Sequence, residues 1–590
     1  MAPHLGLLID ENQRLVDIKR KFVHELDLNP GIFWPFFRPC DVRVLVVADG
    51  LDFSEDGFGL TTFVRTLLDM PGGYARFRIT LGHIGAAAAT QMMDGEPRIV
   101  RRITQLKFDD TDHFAAGMYD EVWLFGIAQS FFGRGTAADG TAYPTTRLAD
   151  TELRALTEFV NAGGGLFATG DHGALGRFLC AEVPRVRNMR LWQSTSAQLA
   201  DDEVSMTGER RNDTNRIGSS GGSQFNDQSD DTPQVVLPRR YERTRGFFRF
   251  SFPHPLLCGP KGTIAVMPDH PHEGECIEPP DTGLSLNFGG PLGAEYPNAV
   301  GGGPKPTPEV ISTSTVLSGT TSDFKDPTEP HSFGGICAYD GHRAGIGRVV
   351  TDATWHHFVN VNLVGDRGVS GLDPKYWGFL YSVSGQAHLE EVRAYYRNIA
   401  VWLARPERIA CMNTRMIWRL LWTDRVMEAV LSTTDLRVAD VEPRIFVIIG
   451  KHARDVLGRF AGQCQSIRLI LDLVFYPAFP QLVRELDPWL PDVPRNRRAF
   501  DGVPWFDAAP LLDIGFGAAL VGLREEFPQP DERVVADIST AVVTDVASRA
   551  GRVGVERALR SAKSNMDAAA KILDVKPPRR TAKRRPPKKS

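Results

Sequence analysis

Apolar and polar positions alternate between two regimes along this chain. Val42-Arg43-Val44-Leu45-Val46-Val47 is a β-branched run of the kind buried on both faces of a parallel sheet. A helical segment follows over 60–70, then a second strand over 75–81, an ambiguous element over 99–108, and a further strand at Glu121–Gly126. Leu153, Leu156, Phe159 and Val160 recur at helical spacing within 148–161, and Gly163 supplies the stop. Gly165-Leu166-Phe167 then predicts another strand. Ile336–Tyr339 and Gly347–Asp352, joined by a turn over 340–345, read as a hairpin returning the chain to the sheet, with Trp355-His356-His357-Phe358 as its cap. Strands alternating with helices predict an α/β fold with a mostly parallel sheet covered on both faces.

The helix over 389–403 closes this region, and from about residue 405 the pattern is mostly helical. The predicted organisation is an N-terminal arm (1–40), an α/β domain (41–405), a helical C-terminal domain (406–575) and a basic tail (576–590). Residues 194–244, with Gly218-Ser219-Ser220-Gly221-Gly222-Ser223, form a long polar insertion of the type that serves as a lid or stays disordered. The apolar runs 469–479 and 508–523 are interrupted by Asp472 and Pro477, and by Pro510 and Asp513. Both fall short of the roughly 20 residues a membrane span requires, and they read as buried or interface helices.

Composition narrows the picture. At 590 residues, with 42% hydrophobic and 24% charged positions, the chain is globular and large enough for several cores. Charged residues break up the first twenty positions, so no secretory signal is expected and cytoplasmic residence is the default. The seven cysteines are scattered without a C-x-x-C pair, which argues against a disulfide framework or zinc ribbon and suggests small buried residues. Net charge is −4, yet the last fifteen residues carry eight Lys or Arg and no acid. That tail is expected to be disordered, either solubilising or a contact for nucleic acid or an acidic partner.

The candidate chemistry centres on Gly163-Gly164-Gly165-Leu166-Phe167-Ala168-Thr169-Gly170-Asp171-His172-Gly173-Ala174-Leu175-Gly176, a strand breaking into a glycine-flanked turn. Loops at the strand ends add Asp49, Asp52, Glu55 and Asp56, with His356 and His357 from the last turn, where open α/β sheets bind ligands. Asp171, His172 and His356 are the candidate catalytic residues; Asp49, Asp52, Arg343 and His357 are candidate ligand contacts. Asp171, His270, His272, Glu273 and His356 would suit a divalent metal with an open position for water. A metal-free arrangement has His356 as general base, Asp171 as its orienter and Arg343 or Arg348 on an anion. Each has an ordinary structural alternative: a helix N-cap for Asp171, turns for Asp49 and Asp52, a packed imidazole for one of the paired histidines. No phosphate-binding P-loop is present.

Four features, in order, carry a resemblance to a known family. They are the strand from Val42; the glycine-rich strand leading to Asp171; His254-Pro255-Leu256-Leu257 ahead of a strand over 263–267; and Gly347-Arg348-Val349-Val350 running into Trp355-His356. This region, about 41–405, resembles class I glutamine-amidotransferase-like domains, particularly the trehalose-utilisation (ThuA-like) branch. The resemblance implies a flavodoxin-like three-layer sandwich. It also implies a cysteine nucleophile at the elbow, activated by histidine; here the position is Asp171, and Cys180 lies nine residues beyond it. Glutaminase chemistry is therefore not expected. Two readings follow: a hydrolase-like or small-ligand-binding protein on this scaffold, possessing no cysteine nucleophile, or a non-enzymatic assembly protein that uses the helical domain and basic tail, with a homo-oligomer expected.

Overall fold

The computed structural model describes residues 38–85, 92–128, 134–137, 140–170, 175–192, 234–243, 248–268, 274–316, 331–368, 370–372, 376–424, 427, 430–431, 437–490, 506–507, 509–528 and 538–573. Its centre is an 11-stranded sheet. In chain order the strands are β1 (Cys40–Asp49), β2 (Ala75–His83), β3 (Arg101–Ile103), β4 (Glu121–Gly126), β5 (Gly165–Thr169), β6 (Arg190–Leu191), β7 (Leu237–Pro238), β8 (Glu275–Cys276), β9 (Glu309–Val316), β10 (His331–Tyr339) and β11 (Val349–Asp352). The order across the sheet is β3-β2-β1-β4-β5-β11-β10-β8-β6, with β9 pairing β10 and β7. All pairs from β3 to β11 are parallel, and those beyond β11 are antiparallel. Within this, β2-β1-β4-β5-β11 is the flavodoxin-like 2-1-3-4-5 order, extended by β3 at one edge and a mixed flank at the other.

Both faces of the parallel strands are buried, as their near-continuous apolar sequence requires. Val42, Val44, Val46, Trp123, Phe125, Phe167 and Val350 point into one apolar cluster, and Leu45, Val47, Val122, Leu124, Leu166 and Val349 into the other. The first face is covered by α1 (Thr61–Leu68) and α3 (Val383–Leu403), the second by α2 (Asp150–Asn161) and the segment Arg177–Trp192. This is a three-layer sandwich. The C-terminal region is helical: α4 (Pro406–Thr423), α5 (Pro443–Ala461), α6 (Gln463–Ile470), α7 (Ala509–Glu526) and the 33-residue α8 (Thr540–Ile572). Its core is continuous with the first face of the sandwich, through Tyr396, Trp402, Trp418 and Phe516. Among the described residues no helix is long and apolar enough to cross a membrane; 469–475 and 511–523 are largely buried helical segments of this region.

Three expectations change. The ambiguous element over 99–108 contributes a short edge strand at Arg101–Ile103, and the single strand expected over 263–267 is two bridges, one in a hairpin with Cys258–Gly259 and one against Gln234–Val235, outside the main sheet. The third change concerns the cysteines. Cys40 is bonded to Cys411 and Cys258 to Cys464, and only Cys180, Cys276 and Cys337 are free. Sequence separations of 371 and 206 residues hide both pairs from any reading of local spacing. Each bond ties the sandwich to the helical region. The polar insertion falls almost wholly outside the described residues, as does the basic tail.

Candidate functional site

Asp49 ends β1 where the sheet order reverses between β1 and β4, the place at which doubly wound sheets bind ligands. Its side chain is 1% exposed. Oδ1 accepts hydrogen bonds from the backbone N–H groups of Ile127 (2.5 Å) and Ala128 (3.1 Å), which follow β4. Among the described residues, Oδ2 is buried with no hydrogen-bond partner. Burial outweighs the two backbone donors and pushes the Asp49 pKa up to about 8, so the carboxyl holds its proton at neutral pH. A neutral acid with one unsatisfied oxygen is chemically distinct from a turn aspartate. Asp52, by contrast, accepts the Ser54 N–H at 2.8 Å in a local turn.

His83, at the end of β2, was not singled out by its sequence context. It is buried, its Nε2 accepts from the Gly50 N–H at 3.4 Å, and its Nδ1 lies 3.0 Å from the Gly85 carbonyl oxygen. Burial lowers its pKa, so the ring is a neutral brace for the loop behind Asp49. Asn360 braces the same loop from the other side. Its Oδ1 accepts from the Thr62 N–H, and its Nδ2 donates to the carbonyls of Ser54 and Asp56.

At the neighbouring strand end, the Trp355 N–H donates to the Gly170 carbonyl at 3.0 Å. The backbone of the turn after β11 therefore meets the end of β5, on the same edge of the sheet as Asp49. His356 and His357 are each 1% exposed. His356 stacks on Trp355 with ring centres 4.1 Å apart, and its Nδ1 lies 2.9 Å from Asn362 Oδ1. His357 Nδ1 lies 2.8 Å from Asp352 Oδ1, whose other oxygen accepts from the Tyr395 hydroxyl at 2.8 Å. Asp352, Asn362 and Tyr395 escaped sequence reasoning because they gain meaning only through these contacts; a β-strand terminus and a mid-helix tyrosine carry no local signal. Asp171 and His172 lie outside the described residues, as do His270, His272 and Glu273. Among the described residues no group of three His, Cys, Asp or Glu is placed to hold a metal ion.

Arg343 does not join this edge. It follows β10, next to Asp340 and Arg348 at the start of β11, so it sits at the opposite edge of the sheet from His356 and Asp49. The metal-free arrangement that pairs His356 with Arg343 or Arg348 is thereby corrected: an antiparallel hairpin puts its turn at the N-terminal edge of the parallel strands. Cys180 is buried, and its thiol lies 3.8 Å from the Thr169 carbonyl. Burial raises its pKa well above the ordinary thiol range, which leaves it protonated and a poor nucleophile.

Glycines allow this edge to close. A Cβ on Gly126 would lie 2.5 Å from the Gly176 Cα, and one on Gly170 would lie 2.6 Å from the Leu175 carbonyl oxygen. Gly176 itself has φ +90°, a conformation that favours glycine. Gly126→Ala is expected to force the end of β4 away from the backbone at Gly176 and cost about 2–4 kcal/mol, measured by denaturant unfolding. Comparison with known proteins gives no family model that matches the chain and no matching curated protein.

Proposed function

We propose that this protein is a small-ligand-binding protein with hydrolase-like capacity, on a glutamine-amidotransferase-like scaffold that lacks the cysteine nucleophile. The ligand is met at the C-terminal ends of β1, β4, β5 and β11. The observation that carries this reading is Asp49, a buried neutral carboxyl with one unpaired oxygen at the point where the strand order reverses. In that state it donates a proton to a leaving group or a hydrogen bond to a ligand oxygen. His356 and His357 orient the adjoining turn through Asn362 and Asp352, and Asp171 and His172 would complete the site from the elbow. A divalent metal held by Asp171, His270, His272, Glu273 and His356 would supply a bound hydroxide, with Asn362 orienting the His356 imidazole through Nδ1. Hydrolysis of 4-nitrophenyl acetate and bis(4-nitrophenyl) phosphate is the test: turnover falling away above pH 8 and absent in Asp49→Asn is expected, whereas equal turnover by both proteins rejects a role for Asp49.

A second reading, assembly through the helical region, rests on α8. From Arg557 onward this helix is largely exposed, and Leu559, Met566 and Leu573 project apolar side chains seven residues apart. That spacing suits self-association through a helix seam, with the basic tail beyond it for nucleic acid or an acidic partner. The two disulfides weigh toward an oxidising compartment rather than the cytoplasm.

A further inference from the structure

A cavity of about 940 Å³ opens between the sandwich and the helical region, at the sheet edge opposite Asp49. From this cavity we infer a second binding site, for a ring-bearing organic anion with a single acidic group, a carboxylate or a phosphate monoester, that also carries hydroxyl groups. The inference does not rest on the function proposed for the Asp49 edge.

Size sets the first limit, since pockets for ligands of this kind span roughly 300–1,000 Å³. The walls set the second. Tyr241, Trp402, Tyr476 and Trp489 line the cavity and offer faces to a ring. Three guanidiniums also line it, but two are committed. Arg348 bonds Asp340 at 2.8 Å and the Trp402 carbonyl at 2.9 Å; Arg468 bonds Asp487 at 2.9 Å and pairs with Asp472 at 3.2 Å. Arg343 has only the Pro304 carbonyl, at 2.9 Å, and no carboxylate among the described residues. One uncommitted cation calls for one anionic group.

Two further groups call for hydrogen bonds. Asn413 is 9% exposed and, among the described residues, its Oδ1 is buried without a partner, as is His342 Nε2. Leaving such atoms unpaired is unfavourable, and ligand hydroxyls would offset that cost. The imidazoles of His254 and His342 stay neutral, both lowered to about 3 by burial, so they act as hydrogen-bonding groups and add no cation. Asp340 stays charged: burial alone would raise it, but Arg348 holds it below the usual carboxylate range. Gly302 and Gly303, which line the cavity with φ of +81° and +130°, follow a path that residues with a Cβ rarely adopt.

Calorimetric titration of the full chain with 4-hydroxybenzoate, phenyl phosphate and inorganic phosphate tests this. Binding of 4-hydroxybenzoate or phenyl phosphate is expected, and which of them binds more tightly tells carboxylate from phosphate. Inorganic phosphate, without a ring, should bind at least tenfold more weakly. Arg343→Ala should weaken the preferred ligand about 10- to 100-fold, the range for a charged hydrogen bond, and Arg343→Lys should recover part of it. Asn413→Leu, which fills the cavity without touching a charge, should weaken it as well, whereas Asp49→Asn should leave it unchanged. No binding of either ring-bearing anion, or binding indifferent to both Arg343→Ala and Asn413→Leu, overturns the inference; loss in Asp49→Asn alone would assign the ligand to the other edge.

Discussion

Reducing the two disulfides under native conditions is expected to lower the melting temperature by about 4–8 °C. Cys40 opens β1 and Cys411 lies on α4, with Cα atoms 6.1 Å apart; Cys258 and Cys464 are 5.7 Å apart at the mouth of α6. Each bond closes a loop of hundreds of residues in the unfolded chain, and removing such a bond costs about 2–4 kcal/mol. Roughly 1 °C per kcal/mol, for a cooperative unit of several hundred residues, then gives the shift for both bonds together. Thermal unfolding with and without a phosphine reductant measures it, and a Cys258→Ser/Cys464→Ser variant isolates one bond. Thiol labelling in denaturant without reductant should count three cysteines, Cys180, Cys276 and Cys337. A count of seven would remove both bonds and restore the cytoplasmic expectation.

Asp49→Asn is expected to stabilise the protein at pH 7 to 8 and to flatten part of its pH dependence. The folded pKa of about 8 lies above the ordinary carboxyl value of 3.8, so between these values the folded state holds a proton that the unfolded state has released. Stability therefore falls as pH rises across that window, by at most about 1.4 kcal/mol per pH unit from this one group, and is fully present below it. Asparagine keeps the oxygen that accepts from Ile127 and Ala128 and replaces the protonated oxygen with an uncharged donor. Denaturant melts at intervals from pH 4 to 9 should show wild type and variant diverging with rising pH. Parallel curves would mean that Asp49 titrates normally.

The apolar runs over 42–47, 121–126 and 165–169 fix their own burial on both faces, and with it a parallel sheet between helical layers, because strand pairing and layer packing follow from period and apolarity alone. The helix over 148–161, the hairpin at 336–352 and the helical character beyond 405 are legible for the same reason. The glycines around 163–176 likewise announce a crowded strand end. Which side chains share that edge is another matter. Asp49 reads as a turn residue in the sequence, and only burial against the N–H groups of Ile127 and Ala128 makes it a neutral acid. Arg343 sits thirteen positions before His356 yet faces the other end of the sheet, because the hairpin reverses the chain between them. The disulfides and the cavity at the junction belong to tertiary structure entirely: they bring together residues hundreds of positions apart, and no local pattern of hydrophobicity or spacing encodes which distant surfaces meet.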